Sequence, residues 1–300
     1  MASSFIACYL FLAGGGAGAF LIAAVVDGAL RFRSTECFRR LSPLTDPGLA
    51  LGPVVVAFGC VFLLCDLGSP EKAFAVFAGP PRSLLGWGAW SVVVFCASAS
   101  GAWLCGRSFR PFLCRCAEPV LQIAACMSAA FVAGYSGVYL SLFPAVPFLH
   151  TPWIPLLFVA SAFATGMGLL VVTAFVRHNV EGVADSMGGL SRVDACLTIF
   201  EAAALLSFCI DSAMAGDVVS CSLEMMVSGP IAPAFWLGVV ICGLVFPLAA
   251  DIVSRHVSSP PLLAVAGCSK MVGGLCLRFV VLLAAVRYGM VNMSVQSFWM

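Results

Sequence analysis

The sequence predicts an all-α polytopic membrane protein with eight transmembrane helices. Of its 300 residues, 62% are hydrophobic and only 10% are charged, whereas a soluble domain carries about 25% charged residues. No polar stretch is long enough to fold alone, and a formal net charge of +1 gives no reason to expect nucleic acid as a partner. Eight apolar segments reach the length of about 20 residues that crosses a bilayer; they lie at about 5–30, 49–66, 86–106, 119–143, 153–177, 193–211, 231–253 and 262–288.

The first segment is predicted to be an uncleaved anchor with its N-terminus outside. A signal peptide carries positive charge before its apolar run, and this run has none before it. The positive residues follow the run instead, at Arg31, Arg33, Arg39 and Arg40. That order of charge retains the flanking arginines in the cytoplasm.

The loops between the segments predict the same orientation for the whole protein. The loops on the outward side carry only Lys72, Arg82 and Arg287. Since positive loops stay in the cytoplasm, both termini, the 66–71 turn and the loops at 144–152 and 212–230 are expected outside. The cytoplasmic loops carry Arg31, Arg33, Arg39, Arg40, Arg107, Arg110, Arg115, Arg177, Arg192 and Arg255.

Small residues crowd the first span and recur in the fifth. Gly14 and Gly18 lie within an Ala-Gly-Gly-Gly-Ala-Gly-Ala run. Small residues allow close approach either of a second helix or of a flat ligand, so both interpretations are open. Leu10–Ala13 and Leu157–Ala160 are similar at an offset of 147 residues, which indicates either an internal repeat or only the general likeness of apolar spans. We expect one membrane domain, 1–300, with halves 1–146 (helices 1–4) and 147–300 (helices 5–8).

The second span ends in a turn that carries two carboxylates, Asp66 and Glu71. Carboxylates at the edge of the hydrocarbon are costly and often handle protons. The alternative is that Asp66 simply forms the turn and that Glu71 is solvated. In the fourth span, Tyr135 and Tyr139 lie one helical turn apart and so share a face. They either hydrogen-bond a ligand or belong to the aromatic belt of the membrane.

Several ionisable residues fall within predicted spans. Lys270 and Arg278 lie on roughly one face of the eighth span, and Glu201 in the sixth is the expected partner. An unpaired charge at this depth costs at least about 2.5 kcal/mol. The three residues form either a structural ion-pair network or part of a proton route from the cytoplasm. Asp27 and Asp251, near cytoplasmic span ends, are expected to be solvated.

Cysteine and histidine spacing argues against intrinsic redox centres. The 15 cysteines include no C-x-x-C pair, although iron–sulfur and zinc sites normally show such pairs. His150, His178 and His256 lie in loops or at span ends, so none is placed to ligate a membrane haem. We therefore expect no metal site, no haem and no iron–sulfur cluster in this chain. Any electrons that a substrate delivers to this chain must then pass to a cofactor on another subunit.

Motifs spread over the sequence resemble the NrfD/PsrC family of membrane quinone-binding subunits found in polysulfide reductase, nitrite reductase and related complexes. The family turn usually reads Asp-Leu-Gly-Arg-Pro-Glu, and Ser69 replaces the arginine here. The matching motifs occur in the expected order; they are Tyr9–Gly14, Asp66–Glu71, Pro81–Ser83, Trp87–Trp90, Tyr135–Gly137, Thr151–Pro152, Pro155–Phe158, Gly273–Gly274 and Leu277–Arg278.

The resemblance implies two four-helix bundles in a bacterial cytoplasmic (inner) membrane and a site for menaquinone or ubiquinone near the outer face. Asp66, Glu71 and Tyr135 are its expected proton-handling residues. The partner it implies is a ferredoxin-like iron–sulfur subunit, connected to a molybdopterin or multihaem catalytic subunit. The residues expected to line the site are Gly14, Gly18, Leu67, Gly68, Tyr135 and Tyr139.

The function predicted from the sequence is thus a quinone-reactive membrane anchor that is active only within an oxidoreductase complex. Buried charges in two similar halves also suit a secondary transporter, although no span shows the paired Gly or Pro interruptions of a broken helix. A purely structural membrane anchor for an outward-facing enzyme is the third possibility. The partner subunits and the binding of a quinone analogue discriminate among the three.

Overall fold

The structure, a computed structural model, describes residues 4–31, 35–66, 84–107, 113–142, 144, 146–177, 187–254 and 260–285. All regular elements in these ranges are helices. In sequence order they are α1 (Ser4–Arg31), α2 (Thr35–Asp66), α3 (Leu84–Arg107), α4 (Leu113–Ser141), α5 (Trp153–Val176), α6 (Met187–Met214), α7 (Asp217–Val227), α8 (Ala234–Val245, continued by Phe246–Ser254) and α9 (Pro260–Ala284).

Eight of these helices are long and apolar enough to cross a membrane, which confirms the predicted all-α multi-pass class. Their crossing segments run over Ser4–Ala29, Thr45–Asp66, Leu84–Gly106, Ala117–Ser141, Trp153–Val176, Ser191–Met214, Ala234–Ser254 and Pro261–Ala284. The remaining helix, α7, is short and lies in the predicted 212–230 loop. The first part of α8 is wound as a π-helix, a form that is rare at this length.

Large apolar side chains cover the outside of the spans. Val120, Ile123 and Met127 on α4 are each more than 60% exposed, as is Leu206 on α6. A soluble protein rarely exposes so much contiguous apolar surface. Lipid contact accounts for it, since the backbone polar groups are satisfied within helices.

The spans pack around two large apolar cores within the described residues, and a third, smaller core lies between α1 and α5. One core is formed by helices α1, α2, α3 and α4. In it the rings of Phe20 and Phe95 are in edge-to-face contact, with centroids 5.1 Å apart. The other joins α5, α6, α8 and α9 with the short α7. Helices α1 and α5 pack directly on each other between the two cores, where the Cβ of an alanine at Gly18 would collide with the Ala162 carbonyl. The division into two closed bundles and the side of each terminus stay predictions.

Two expectations about buried charge are wrong. Asp27 is 6% exposed and Asp251 is fully buried, although both were expected to be solvated. Asp251 lies in the helix contact between α6 and α8, where its carbonyl oxygen accepts a hydrogen bond from the Ser191 hydroxyl at 2.8 Å. Asp27 lines a cavity of about 530 Å³ at the end of α1–α4 that is predicted to face the cytoplasm.

Candidate functional site

Tyrosines from α1 and α4 meet inside the first core. The phenol of Tyr9 lies close enough to the Tyr135 phenol and the Cys60 thiol to interact electrostatically with both. Tyr139 follows one turn later on α4, with its ring centroid 5.7 Å from that of Tyr135. Tyr135 is thus near a second phenol on its own helix and a third on α1, and each phenol can donate or accept a hydrogen bond.

These groups lie at one depth, near the end of the molecule predicted to face outward. Tyr9 follows the start of α1 by five residues, Tyr135 precedes the end of α4 by six, and Cys60 precedes the end of α2 by six. At a rise of 1.5 Å per residue, all three lie about 8–9 Å below those helix ends. A ligand among them is held within the apolar layer, one or two helical turns from water.

Helix α3 supplies a flat wall behind Tyr135. The Cβ of an alanine at Gly88 would collide with the Tyr135 ring, so only glycine lets this ring lie against the α3 backbone. On the other side the Phe131 ring stacks on Tyr135, with centroids 5.9 Å apart and an interplanar angle of 16°. The resulting ladder of rings along α4 suits contact with another flat ring.

The predicted carboxylate turn is only partly described. Asp66 is the last residue of α2 and is partly exposed. Being one and a half turns beyond Cys60, it stands about 9 Å closer to the membrane surface than the phenols. Leu67, Gly68 and Glu71 lie outside the described residues. What the structure brings together is thus the tyrosine cluster, with one carboxylate at the helix end above it.

The two glycines predicted to contact a ligand lie against helix α5. Around the axis of α1, Gly14 and Gly18 point about 140° and 180° away from Tyr9. Gly18 packs against the α5 backbone, and a Cβ on Gly14 would lie 3.4 Å from the Ala162 Cβ. Both therefore serve the contact between α1 and α5, as the helix-packing interpretation expects.

A second polar cluster is buried between α5, α6 and α9. The Lys270 ammonium forms an ion pair with the Asp194 carboxylate, and both side chains are almost completely buried. Glu201 was the expected partner of Lys270 and Arg278; it interacts electrostatically with both, but the direct ion pair of Lys270 is with Asp194. Glu201 lies between the two cations, near the Ser161 hydroxyl and the Arg278 guanidinium. Two carboxylates and two cations balance, which lowers the cost of burying each.

Arg278 occupies a slot built by three helices. Its Nη1 donates to the Ser161 Oγ and to the Gly274 carbonyl, both at 2.8 Å. The rings of Phe11 and Phe158 lie 5.9 and 5.5 Å from the guanidinium carbon, within the range of cation–π attraction. A Cβ on Gly14 would approach Nη2 to 3.1 Å. Gly14 therefore makes room for the guanidinium.

Sequence reasoning had not assigned a role to Tyr9, Asp194 or Ser161. Tyr9 belongs to the first motif of the family resemblance, so the signal for it was present. Asp194 precedes Glu201 by seven residues and so lies on the same face of α6, which was a usable signal. The sequence gives no signal for the role of Ser161, because a serine in an apolar helix usually hydrogen-bonds to the backbone of its own helix.

We expect Gly88→Ala to displace the Tyr135 ring and to weaken binding of a quinone analogue by about tenfold, the effect of roughly one lost hydrogen bond to a well-held ligand. Gly101→Ala on the same helix is the matched control, because the added Cβ there meets only the flexible end of Leu121 at 3.3 Å. Titration of the analogue into membranes that contain equal amounts of each variant measures the effect. Equal binding by both variants contradicts a ligand against Tyr135.

Arg278→Ala is expected to reduce the amount of assembled protein in the membrane, because it leaves the two buried carboxylates, Asp194 and Glu201, with Lys270 as the remaining cation of the cluster. Removing one partner from a buried pair costs about 3–5 kcal/mol. Arg192→Ala, an exposed arginine of α6, is the control, and quantitative immunoblotting of membranes is the measurement. Normal abundance with lost turnover points instead to the proton route.

Comparison with known proteins agrees with the resemblance found in the sequence. The family described as "Polysulphide reductase, NrfD" matches residues 3–288. The C subunit of polysulfide reductase from Wolinella succinogenes is 27% identical over 94% of this protein and 93% of its own length. The NrfD homolog of Haemophilus influenzae is 24% identical, over 93% of this protein and 92% of its own length. The NrfD protein of Escherichia coli is 26% identical, over 93% of each.

Proposed function

The chain belongs to the NrfD family of multi-pass integral membrane proteins, and from this membership and the tyrosine cluster we propose that it is the quinone-reactive subunit of an oxidoreductase complex. The observation that carries the proposal is the packing of the Tyr135 ring against Gly88, with the Tyr9 phenol near enough to Tyr135 to interact electrostatically, within the apolar layer. A quinone needs hydrogen-bonding groups for its two ring oxygens and flat apolar contact for its ring. The cluster offers both.

The residues present fit such a ring. Tyr9 and Tyr135 come from different helices, so their hydroxyls can reach opposite oxygens of one ligand. Phe131 and the glycine surface of α3 supply apolar contact, while Tyr139 lies on the side toward the membrane surface. When bound, a quinol supplies two electrons and two protons. The phenols hold and orient the oxygens, and the surrounding apolar residues exclude water.

Protons need a path from the phenols to water, and Asp66 lies in that direction. Its carboxylate ends the helix that carries Cys60, and it is partly exposed. A carboxylate at this point can accept a proton directly or through one water and release it to the outer side. We propose Asp66 as the proton acceptor of the site. Glu71 shares this role in the proposal on the strength of its place in the same turn.

In this proposal the electrons pass from the quinol to a cofactor on another subunit. The relative from Wolinella succinogenes is named as the C component of a polysulfide reductase, that is, as one polypeptide of a larger enzyme. We propose that the partner here is an iron–sulfur subunit on the outer face, linked to a molybdopterin or multihaem catalytic subunit. The membrane is the bacterial cytoplasmic membrane, and the quinone is menaquinone or ubiquinone.

The proposal is tested by binding of a fluorescent hydroxyquinoline N-oxide, a quinone analogue, to the protein in native membranes. Wild-type protein is expected to bind one analogue per molecule. The Tyr9→Phe/Tyr135→Phe double variant loses both phenol contacts and is expected to bind about 100-fold more weakly, since each hydrogen bond contributes roughly tenfold. If the wild-type protein within an intact complex binds no analogue, the proposal is contradicted and the function as a structural anchor remains. If vesicles that contain this protein alone take up a solute, the protein is a transporter instead.

A further inference from the structure

A pocket of about 320 Å³ opens at the same end of the molecule as Asp66. It lies between the loop at 146–152, the end of α6 and the start of α7. Its polar lining comes from His150, Thr151 and Asp211. Pro144, Pro147, Pro152, Ala215 and Val219 complete the wall.

The loop that forms one wall is held firmly in place. Phe148 is buried and packs edge-to-face on Phe208 of α6, with ring centroids 5.0 Å apart. Leu149 is also buried, and its backbone N–H donates to the Val146 carbonyl at 3.0 Å. The pocket is thus preformed, which lowers the entropic cost of binding into it.

The polar lining of the pocket combines an imidazole, a hydroxyl and a carboxylate. The Nδ1 of His150 donates to the Ser141 carbonyl at 2.6 Å, which leaves Nε2 as the ring nitrogen available to another partner. Asp211 contributes a carboxylate. Thr151 is only 8% exposed, and its Oγ1 has no hydrogen-bond partner among the described residues. An unsatisfied buried hydroxyl costs about 1–3 kcal/mol, so an incoming hydrogen-bonding group is favoured. The Asp211 carboxylate makes a cationic donor the best match.

The exposed charged side chains that the structure describes on the neighbouring helix α7 are acidic. On α7, Asp217 and Glu224 are both exposed and lie seven residues apart, hence on one face, while Val219 and Met226 are buried on the other. No lysine or arginine side chain that the structure describes lies on the surface at this end of the molecule. Exposed carboxylates such as these attract a basic partner electrostatically and repel an acidic one.

We propose that this pocket receives a lysine or arginine side chain of the electron-accepting subunit, and that the acidic face of α7 docks against a basic surface of the same subunit. The inference rests on the proposed function, because it takes the iron–sulfur partner as the occupant. It adds the place on this protein that holds the partner and the charge that the partner presents. The pocket lies at the end of the molecule where the tyrosine cluster and Asp66 are found, so docking there also brings the acceptor near the quinone site.

The test uses the complex purified from native membranes through a tag on this subunit. Iron and acid-labile sulfide per tagged subunit are measured after washes with increasing NaCl. Thr151→Val removes an unpartnered hydroxyl at nearly constant volume, so the subunit itself should be no less stable. Both Thr151→Val and Asp211→Asn are expected to weaken retention of the iron–sulfur subunit by about tenfold. Asp46→Asn, an exposed carboxylate near the opposite end of the α2 crossing segment, is the matched control.

A photo-crosslinking residue at Ala215 identifies the occupant. We expect it to attach to the iron–sulfur subunit, in a peptide that contains lysine or arginine. Attachment only to lipid or to a second copy of this protein overturns the inference, as does retention that Thr151→Val and Asp211→Asn leave unchanged. In those outcomes the wild-type complex still contains iron and oxidises quinol. Loss of these properties from the wild-type complex contradicts the proposed function instead.

Discussion

Replacing Tyr135 with phenylalanine is expected to lower quinol-driven turnover by at least about 100-fold, the lower range for loss of a proton-transferring group. The ring of Tyr135 is held by Phe131 and by the α3 backbone at Gly88. Phenylalanine keeps these contacts and removes only the hydroxyl. The complex should therefore assemble normally while turnover falls, and steady-state quinol oxidation at equal complex content measures the change.

Asp66→Asn is expected to have the same kind of effect, because it keeps the shape of the helix end and removes the proton acceptor. Asp46→Asn provides a control on the same helix, since Asp46 is an exposed carboxylate near the other end of its crossing segment. Assembly should be unchanged in both variants, and only Asp66→Asn should lose turnover. Wild-type turnover in Tyr135→Phe and Asp66→Asn together contradicts the site assignment.

Breaking the buried ion pair between Asp194 and Lys270 is expected to have the largest effect on stability. Each single variant, Asp194→Leu or Lys270→Met, leaves an uncompensated charge in the membrane interior. Such a change costs about 3–5 kcal/mol, and a loss of even about 1–2 kcal/mol lowers cellular abundance several-fold. Abundance in the membrane and thermal aggregation in mild detergent are the two measurements.

The Asp194→Leu/Lys270→Met double variant separates a structural role from a proton route. Apolar residues of similar volume often replace a buried pair at little cost, so the double variant should regain abundance. Recovered turnover as well indicates a purely structural pair. Recovered abundance without turnover indicates that protons use these groups. Single variants as abundant as wild type contradict the pairing itself.

The fold class could be predicted from the sequence because a membrane span needs only length and apolar composition, and eight segments met both. Tyr135 and Tyr139 could be placed on one face because helical spacing is regular. The lining role of Gly14 and Gly18 could not be decided, since small residues suit a helix and a ring equally well. In the structure both face α5.

The partner of Lys270 was missed for a different reason. Asp194 lies only three residues inside its crossing segment, a position where solvation is a reasonable expectation. Which carboxylate meets Lys270 depends on how α6 and α9 are offset along their axes, and a single sequence carries no signal for that offset. The short α7 was missed because its 11 residues fell within a segment assigned to a loop by its lower hydrophobicity.

The most direct test of the central claim is to purify the complex in mild detergent and add a quinol while recording the spectrum of its iron–sulfur clusters. The account predicts that an iron–sulfur subunit copurifies and that its clusters become reduced with wild-type protein. It predicts reduction at least about 100-fold slower with Tyr135→Phe. A protein that purifies without iron, or clusters that are reduced equally fast in Tyr135→Phe, contradicts it.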